Sequence, residues 1–577
     1  MASRTANSLG VLDYIVFAVL LIITVVTGLY HGLYKGGQNT TKKFILADRK
    51  VFSLPVALTI LASFISPITL LGVPAEIYTY GAEYIPSVLQ DFIMLPTVIF
   101  LFAPVFYGLD IMTSYQYLDR RYGYPMRCFG AFMFLCQTTF YTAIVMFTPA
   151  LAIEAVTGFN LWILILLTGI VCTFYTTIGG LRAVIWTDAF MSIVMFSTIV
   201  VLIITGTNAA GGFTYVWEIN KMANRTDMFQ FPLDLTERFT FTNLMIGNYL
   251  TNLAVWGVSQ TSVQRVLSAR SLKDAQLSLA MNIPMLVGVL VICCLQGLVM
   301  YAYYYGPSPI DGTIRGPPNT TTPDQITVFF VSEQFGGIPG YQGLYISCLV
   351  AGSLSTISSN LNAMSAVTLI DVIRPIRVTI DKRKTSTERQ DTTLTKVLVS
   401  VYGAVCIALA YVCVNLNTLV ALFNTIFGAV GGPLLGSFTL GMLWPRANTY
   451  GVLIGSVTGF LMGIWCIIGS YVQAGRSDMF GLYKLSFQWY SFLTLSTTVI
   501  LSLIMSEFFR RLDPDQNIKE IDPSLLSTFI RKKSSTKSAL LDKEEMKERK
   551  NKTKIDNRIF KMKVSSSGED EQTGTRL

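Results

Sequence analysis

The sequence predicts an all-α polytopic membrane protein of about thirteen transmembrane helices, with the N-terminus outside and the C-terminus inside. Three observations predict it. Of 577 residues, 52% are hydrophobic and only 14% charged, with a mean hydropathy of +0.51. A soluble domain needs more polar surface than that balance supplies. Apolar runs of about 20 residues, long enough to cross a bilayer, recur along most of the chain. The basic residues gather in alternate loops.

The runs fall near residues 11–31, 53–74, 86–108, 127–154, 160–178, 183–206, 241–261, 276–303, 341–370, 396–414, 418–444, 449–470 and 489–509. Lys35, Lys42, Lys43, Arg49 and Lys50 occupy the first loop, and Arg120, Arg121 and Arg127 the third. Arg265, Arg270 and Lys273 follow the seventh span, and Arg374 to Lys396 the ninth. These loops share one side, which the positive-inside rule makes cytoplasmic. The sequons at Asn224 and Asn319 then fall in long external loops as glycosylation candidates, whereas Asn39 falls inside. The first span is long and its positive flank follows it, unlike a cleaved signal peptide.

The nine cysteines lie in or beside the apolar runs without a CxxC pair and read as small packing residues. His31 is the single histidine, at the end of the first span. Multi-histidine metal sites and histidine-dependent acid–base chemistry are therefore excluded. GxSxG, HExxH and Walker-type sequences are absent, so the chain predicts neither an enzyme nor an ATP-driven pump.

Within a bilayer, helix-breaking residues are tolerated where they line protein or a water-filled cavity. The second span carries Pro67 at its middle, then Gly72 and Pro74, and predicts a helix interrupted at half depth. Such a break frees carbonyls and helix ends that attract cations. A packing kink is the plainer alternative. The ninth span crowds Ser353, Ser355, Thr356, Ser358 and Ser359 into two turns, either for close helix packing or, at Ser355 and Thr356, as hard-cation oxygen ligands. Asp188 and Asp91 are carboxylates within apolar runs, and such residues default to functional candidates. Asp188 also admits an ion pair with Arg182. No Lys or Arg is expected deep in a span, so an anionic ligand there would find its positive partner in a bound cation and helix dipoles.

Seven ordered blocks carry a resemblance: ASFISPITLLGVPAEIYTYG, TSYQYLDRRYG, PALAIEAVTGFNLW, CTFYTTIGGLRAVIWTD, GVSQTSVQRVLSA, LSTISSNLN and GGPLLGSFTLGMLWPRAN. Over roughly residues 10–510 the chain resembles the sodium/solute symporter family, in the branch of monocarboxylate, multivitamin and iodide transporters. The resemblance implies a LeuT-type fold of two five-helix inverted repeats at 53–206 and 241–444. A first helix and basic loop (1–52) precede them, and two further helices (445–510) and a cytoplasmic tail (511–577) follow. It implies a plasma-membrane symporter, with Na+ as coupling ion and no other cofactor, that imports a small organic solute by alternating access. The solute is expected to be a monocarboxylate or vitamin-type carboxylate. Carriers of iodide, a sugar or inositol, or an organic cation stay open, as does a non-transporting nutrient sensor.

Residue by residue, the resemblance places a sodium at the carbonyls of Ala62, Ile65 and Gly352 and the hydroxyls of Ser355 and Thr356. A second sodium is implied at Asp188, Ser358 and Ser359. Phe64, Thr69, Asp91, Trp256 and Asn424 are implied to face the solute. From 511 the chain turns polar and reads as disordered, and Thr575-Arg576-Leu577 fits a PDZ-binding terminus.

Overall fold

The computed structural model describes residues 9–30, 45–232, 234–307, 312–318, 320, 322–380, 387–413, 418–473, 480–512 and 521–531. His31, Asn39, Asn319 and the 575–577 terminus lie outside them.

The described chain is helical. Helix α1 spans Val11–Leu29, α2 spans Ser53–Phe64 and α3 spans Ile68–Tyr80. Then come α4 (Ala82–Gly108), the short α5 (Tyr115–Tyr122), α6 (Tyr124–Thr157), α7 (Leu161–Ala209) and α8 (Phe213–Met222). The second half holds α9 (Tyr249–Gly257), α10 (Gln260–Ser268), α11 (Leu272–Tyr305), α12 (Ile326–Phe335) and α13 (Tyr341–Val367). The last four are α14 (Glu388–Cys413), α15 (Leu419–Leu443), α16 (Thr449–Val472) and α17 (Tyr490–Leu512). Among the described residues nine helices are long and apolar enough to cross a membrane, and the bent pair α2–α3 makes a tenth.

The sequence predicts separate spans at 160–178 and 183–206, and both fall on α7, which is helical over all 49 of its residues. Its two apolar stretches, Leu161–Ile178 and Val184–Ala209, are each long enough to cross.

Helix α13 forms the axis of the fold: of residues 341–367 only Leu344 escapes full burial. Its serines, glycines and alanines let neighbouring backbones approach closely, which is how helices associate in lipid. At its start Gly343 donates its N–H to Asp13 of α1 at 3.0 Å, and a methyl at Gly343 would collide with the α1 backbone. Helices α16 and α17 pack by the same device. Gly451, Gly455, Gly459 and Gly463, four residues apart, face Ser506, Ser502, Thr498 and Thr494.

Buried ion pairs fix the ends of the elements. Arg127 of α6 pairs with Asp371, just beyond α13, at 2.8 Å and with Asp119 of α5 at 2.7 Å. Arg238 grips Glu76 of α3 at 2.6 and 3.0 Å, while Thr418, beside the start of α15, donates to the same carboxylate at 2.8 Å.

The tail departs from the disorder expected beyond 511. Residues 521–531 fold against the body, with Leu525, Leu526 and Ser527 buried. Ser527 N–H donates to the Met442 carbonyl at 3.0 Å, and the Tyr117 hydroxyl donates to the Leu525 carbonyl at 3.2 Å. Two leucines between Pro523 and Arg531 escape a composition-based reading, because their burial depends on partners some 400 positions away.

Candidate sodium and solute site

The site begins at the break in the second span. Helix α2 stops at Phe64, Ile65 turns out of the helix (φ −76°, ψ 62°), and Pro67 brings no N–H. The chain resumes as a wide turn over Ile68–Gly72, with α3 bent 55° from α2. Four residues on from the Ser63 carbonyl stands Pro67, which has no N–H to offer it, and the Phe64 carbonyl accepts from the Thr69 hydroxyl at 2.9 Å.

Against these carbonyls lies the 352–356 stretch of α13. A Cβ at Gly352 would stand 3.1 Å from the Ile65 carbonyl oxygen, a contact tighter than ordinary van der Waals packing, and glycine relieves it. The Thr356 hydroxyl donates to the Ser63 carbonyl at 3.3 Å. The Ser355 hydroxyl is buried without a hydrogen-bond partner among the described residues and faces the Asp188 carboxylate. Ile65, Gly352 and Thr356 thus meet where α13 passes the end of α2, with Ala62 in the last turn of α2 and Ser355 beside Thr356 in the chain. Carbonyls and hydroxyls are the ligand set of a hard cation.

The three residues of the second implied sodium site are engaged otherwise. Asp188 accepts from the Thr59 hydroxyl at 2.6 Å and lies 3.5 Å from the Arg265 guanidinium. Arg265 also donates to the Thr59 carbonyl and the Ser359 hydroxyl, and Ser358 donates to the Ser355 carbonyl at 3.0 Å. The negative charge of Asp188 is already met by a buried cation. One sequence expectation is corrected by this network. A basic residue does lie deep in the bundle, because Arg265 is about 1% exposed on α10 rather than in a loop. The partner of Asp188 is Arg265; the Arg182 side chain lies outside the described residues.

Beside the junction is a cavity of about 120 Å³. Phe64, Thr69, Asp91, Trp256 and Asn424 all line it, so the five solute-facing candidates, drawn from separate helices, meet at one space. The Phe64 and Trp256 rings stack at 3.6 Å between centroids. Asp91 is 6% exposed and accepts one hydrogen bond, from the adjacent Gln90 amide at 2.7 Å. Sequence reasoning missed Gln90, Tyr141, Asn248 and Asn252, which share the lining. Asn248 and Asn252 stand four apart (the spacing of one helix face), and the amide pairs at 3.3 Å, a signal legible in the apolar run around them.

The family model for sodium:solute symporters matches residues 44–459. The chain belongs to the sodium:solute symporter family.

Relatives of this symporter include the sodium-dependent multivitamin transporter of Oryctolagus cuniculus, 36% identical over 87% of this chain and 82% of that one. The sodium-coupled monocarboxylate transporter 1 of Xenopus laevis is 38% identical over 81% of this chain and 74% of that one; that of Homo sapiens is 37% identical over 81% and 75%. Among solved structures, a Na+-coupled sialic acid symporter in a substrate-bound outward-open state has a TM-score of 0.74 at 24% identity, covering 87% of this chain and 98% of that one. A nucleobase-cation-symport-1 family transporter gives 0.51 at 12% identity, covering 83% and 96%. The fold is shared with the sialic acid symporter. The chain is therefore a multi-pass membrane protein and a sodium-coupled symporter, a transporter rather than an enzyme, with Na+ as its coupling ion.

Proposed function

We propose that this symporter imports a small carboxylate across the plasma membrane, binding it in the cavity beside the α2–α3 break together with one sodium held by Ala62, Ile65, Gly352, Ser355 and Thr356. The observation that carries the reading is the contact between the broken helix and α13, where helix-end carbonyls and hydroxyls adjoin a cavity lined by Phe64, Thr69 and Trp256. The carboxylate class comes from the relatives, whose names specify monocarboxylates and vitamins. One sodium suffices in this reading, because a second at Asp188, Ser358 and Ser359 would meet the Arg265 cation.

The architecture we infer is thirteen spans in a LeuT-type arrangement, with inverted repeats at 53–206 and 241–444. The N-terminus lies outside, and Asn224, exposed in the loop after α8, carries the external glycan. Sodium closes the junction in the outward-open state, solute joins it, and the repeats rock to release both inside. The terminal Thr575-Arg576-Leu577 serves as a PDZ ligand.

Uptake of radiolabelled pyruvate, lactate, butyrate and biotin by expressing cells tests the reading. Sodium-dependent uptake is expected for at least one, and Ser355→Ala/Thr356→Ala should abolish it at unchanged surface level. Uptake that ignores sodium contradicts the coupling, and uptake of none of the four contradicts the solute class.

A further inference from the structure

The carboxylate of Asp91 stands in the cavity wall without a counter-ion. It belongs to no ion pair among the described residues, and its one hydrogen bond comes from its sequence neighbour Gln90. Its surroundings are aromatic: the stacked Phe64–Trp256 pair, Tyr84 and Tyr141 line the same space. A buried carboxylate facing aromatic rings attracts a cation, which pairs with the one and lies over the faces of the others.

Charge balance turns this into a statement about the solute. With one sodium at the junction and Asp91 ionised, an empty cavity is balanced. A simple monocarboxylate would leave it at a net negative charge, with two carboxylates close together in a space of low dielectric. A solute that carries an ammonium as well as a carboxylate leaves it neutral. Its ammonium meets Asp91, and its carboxylate meets sodium and the amides of Asn248 and Asn252. The cavity of about 120 Å³ is well below the roughly 300–1,000 Å³ of drug-sized clefts, so the solute has few heavy atoms.

We propose that Asp91 selects a small amino-carboxylate, a zwitterion whose ammonium pairs with the Asp91 carboxylate, over the corresponding plain acid. The proposal rests on the sodium-symport reading above and deepens it.

Two matched pairs test it: 4-aminobutyrate against butyrate, and 3-aminopropionate against propionate. Uptake into cells expressing the full chain is measured with sodium chloride or with isosmotic sucrose. Choline is avoided as a replacement because it would itself suit a carboxylate in an aromatic wall. Wild type should take up each amino compound at least tenfold faster than its plain acid. Asp91→Asn, close in shape but uncharged, should lose at least tenfold on the amino compounds and gain on the plain acids. Asp91→Glu should keep part of the preference. Surface biotinylation normalises every variant. The proposal is overturned if wild type at the surface carries neither amino compound, if it carries the plain acids equally well, or if Asp91→Asn leaves the ratio within a pair unchanged. Failure of the symport reading has a different signature: uptake equal in sodium and in sucrose, whatever the ratio within each pair.

Discussion

At the residue scale the tightest constraint is the buried group around Arg265. It donates to a carbonyl and a hydroxyl on two different helices and neutralises Asp188 on a third. Removing one partner of a buried ion pair costs about 3–5 kcal/mol, because the other charge is stranded. Arg265→Met and Asp188→Leu should each lower the melting temperature of the detergent-solubilised protein sharply. The double variant should recover much of the loss, since an apolar pair of similar volume replaces an ionic one. Additive losses would contradict the pairing. Arg265 was also the residue least legible in the sequence. It stands among loop arginines in the charge pattern, and only the partner 77 positions earlier reveals that it faces inward.

At the scale of elements, the broken helix was legible because Pro67 and Gly72 disturb an otherwise apolar run, and the structure puts the interruption at Ile65–Pro67. Asp91 was legible as a carboxylate in a span, but its exposure to the cavity depends on helix rotation, which one sequence does not specify. The 521–531 strap was missed for a further reason: its few apolar residues are a short island in a polar tail, and the docking surface is assembled from α5 and the end of α15. Burying each leucine is worth roughly 1.5–3 kcal/mol. A chain truncated after Leu512 should therefore melt several degrees lower than one truncated after Arg531, whose strap remains. Equal melting temperatures would show that the strap adds no stability.

At the scale of the whole molecule, coupling is a matter of free energy. A tenfold sodium gradient supplies about 1.4 kcal/mol, and a membrane potential near −70 mV about 1.6 kcal/mol for one charge. Together they support roughly 150-fold accumulation of a solute without net charge. With one sodium, a monoanion would forfeit the voltage share, whereas a zwitterion would keep it. The number and placement of apolar runs made the helical class readable from composition alone. The junction of α2 with α13 was not readable that way, because it joins residues almost 300 positions apart; the motif resemblance supplied it.

Coupling depends on sodium binding at that junction, and sodium-dependent stabilisation of the purified protein measures it without knowledge of the solute. Melting temperature is followed as sodium replaces potassium at constant ionic strength. A ligand at ten times its Kd stabilises the folded state by about 1.4 kcal/mol, so wild type should melt progressively higher as sodium rises. Ser355→Ala/Thr356→Ala should show no sodium response. A wild type indifferent to sodium, or a double variant that responds as wild type does, would contradict the site.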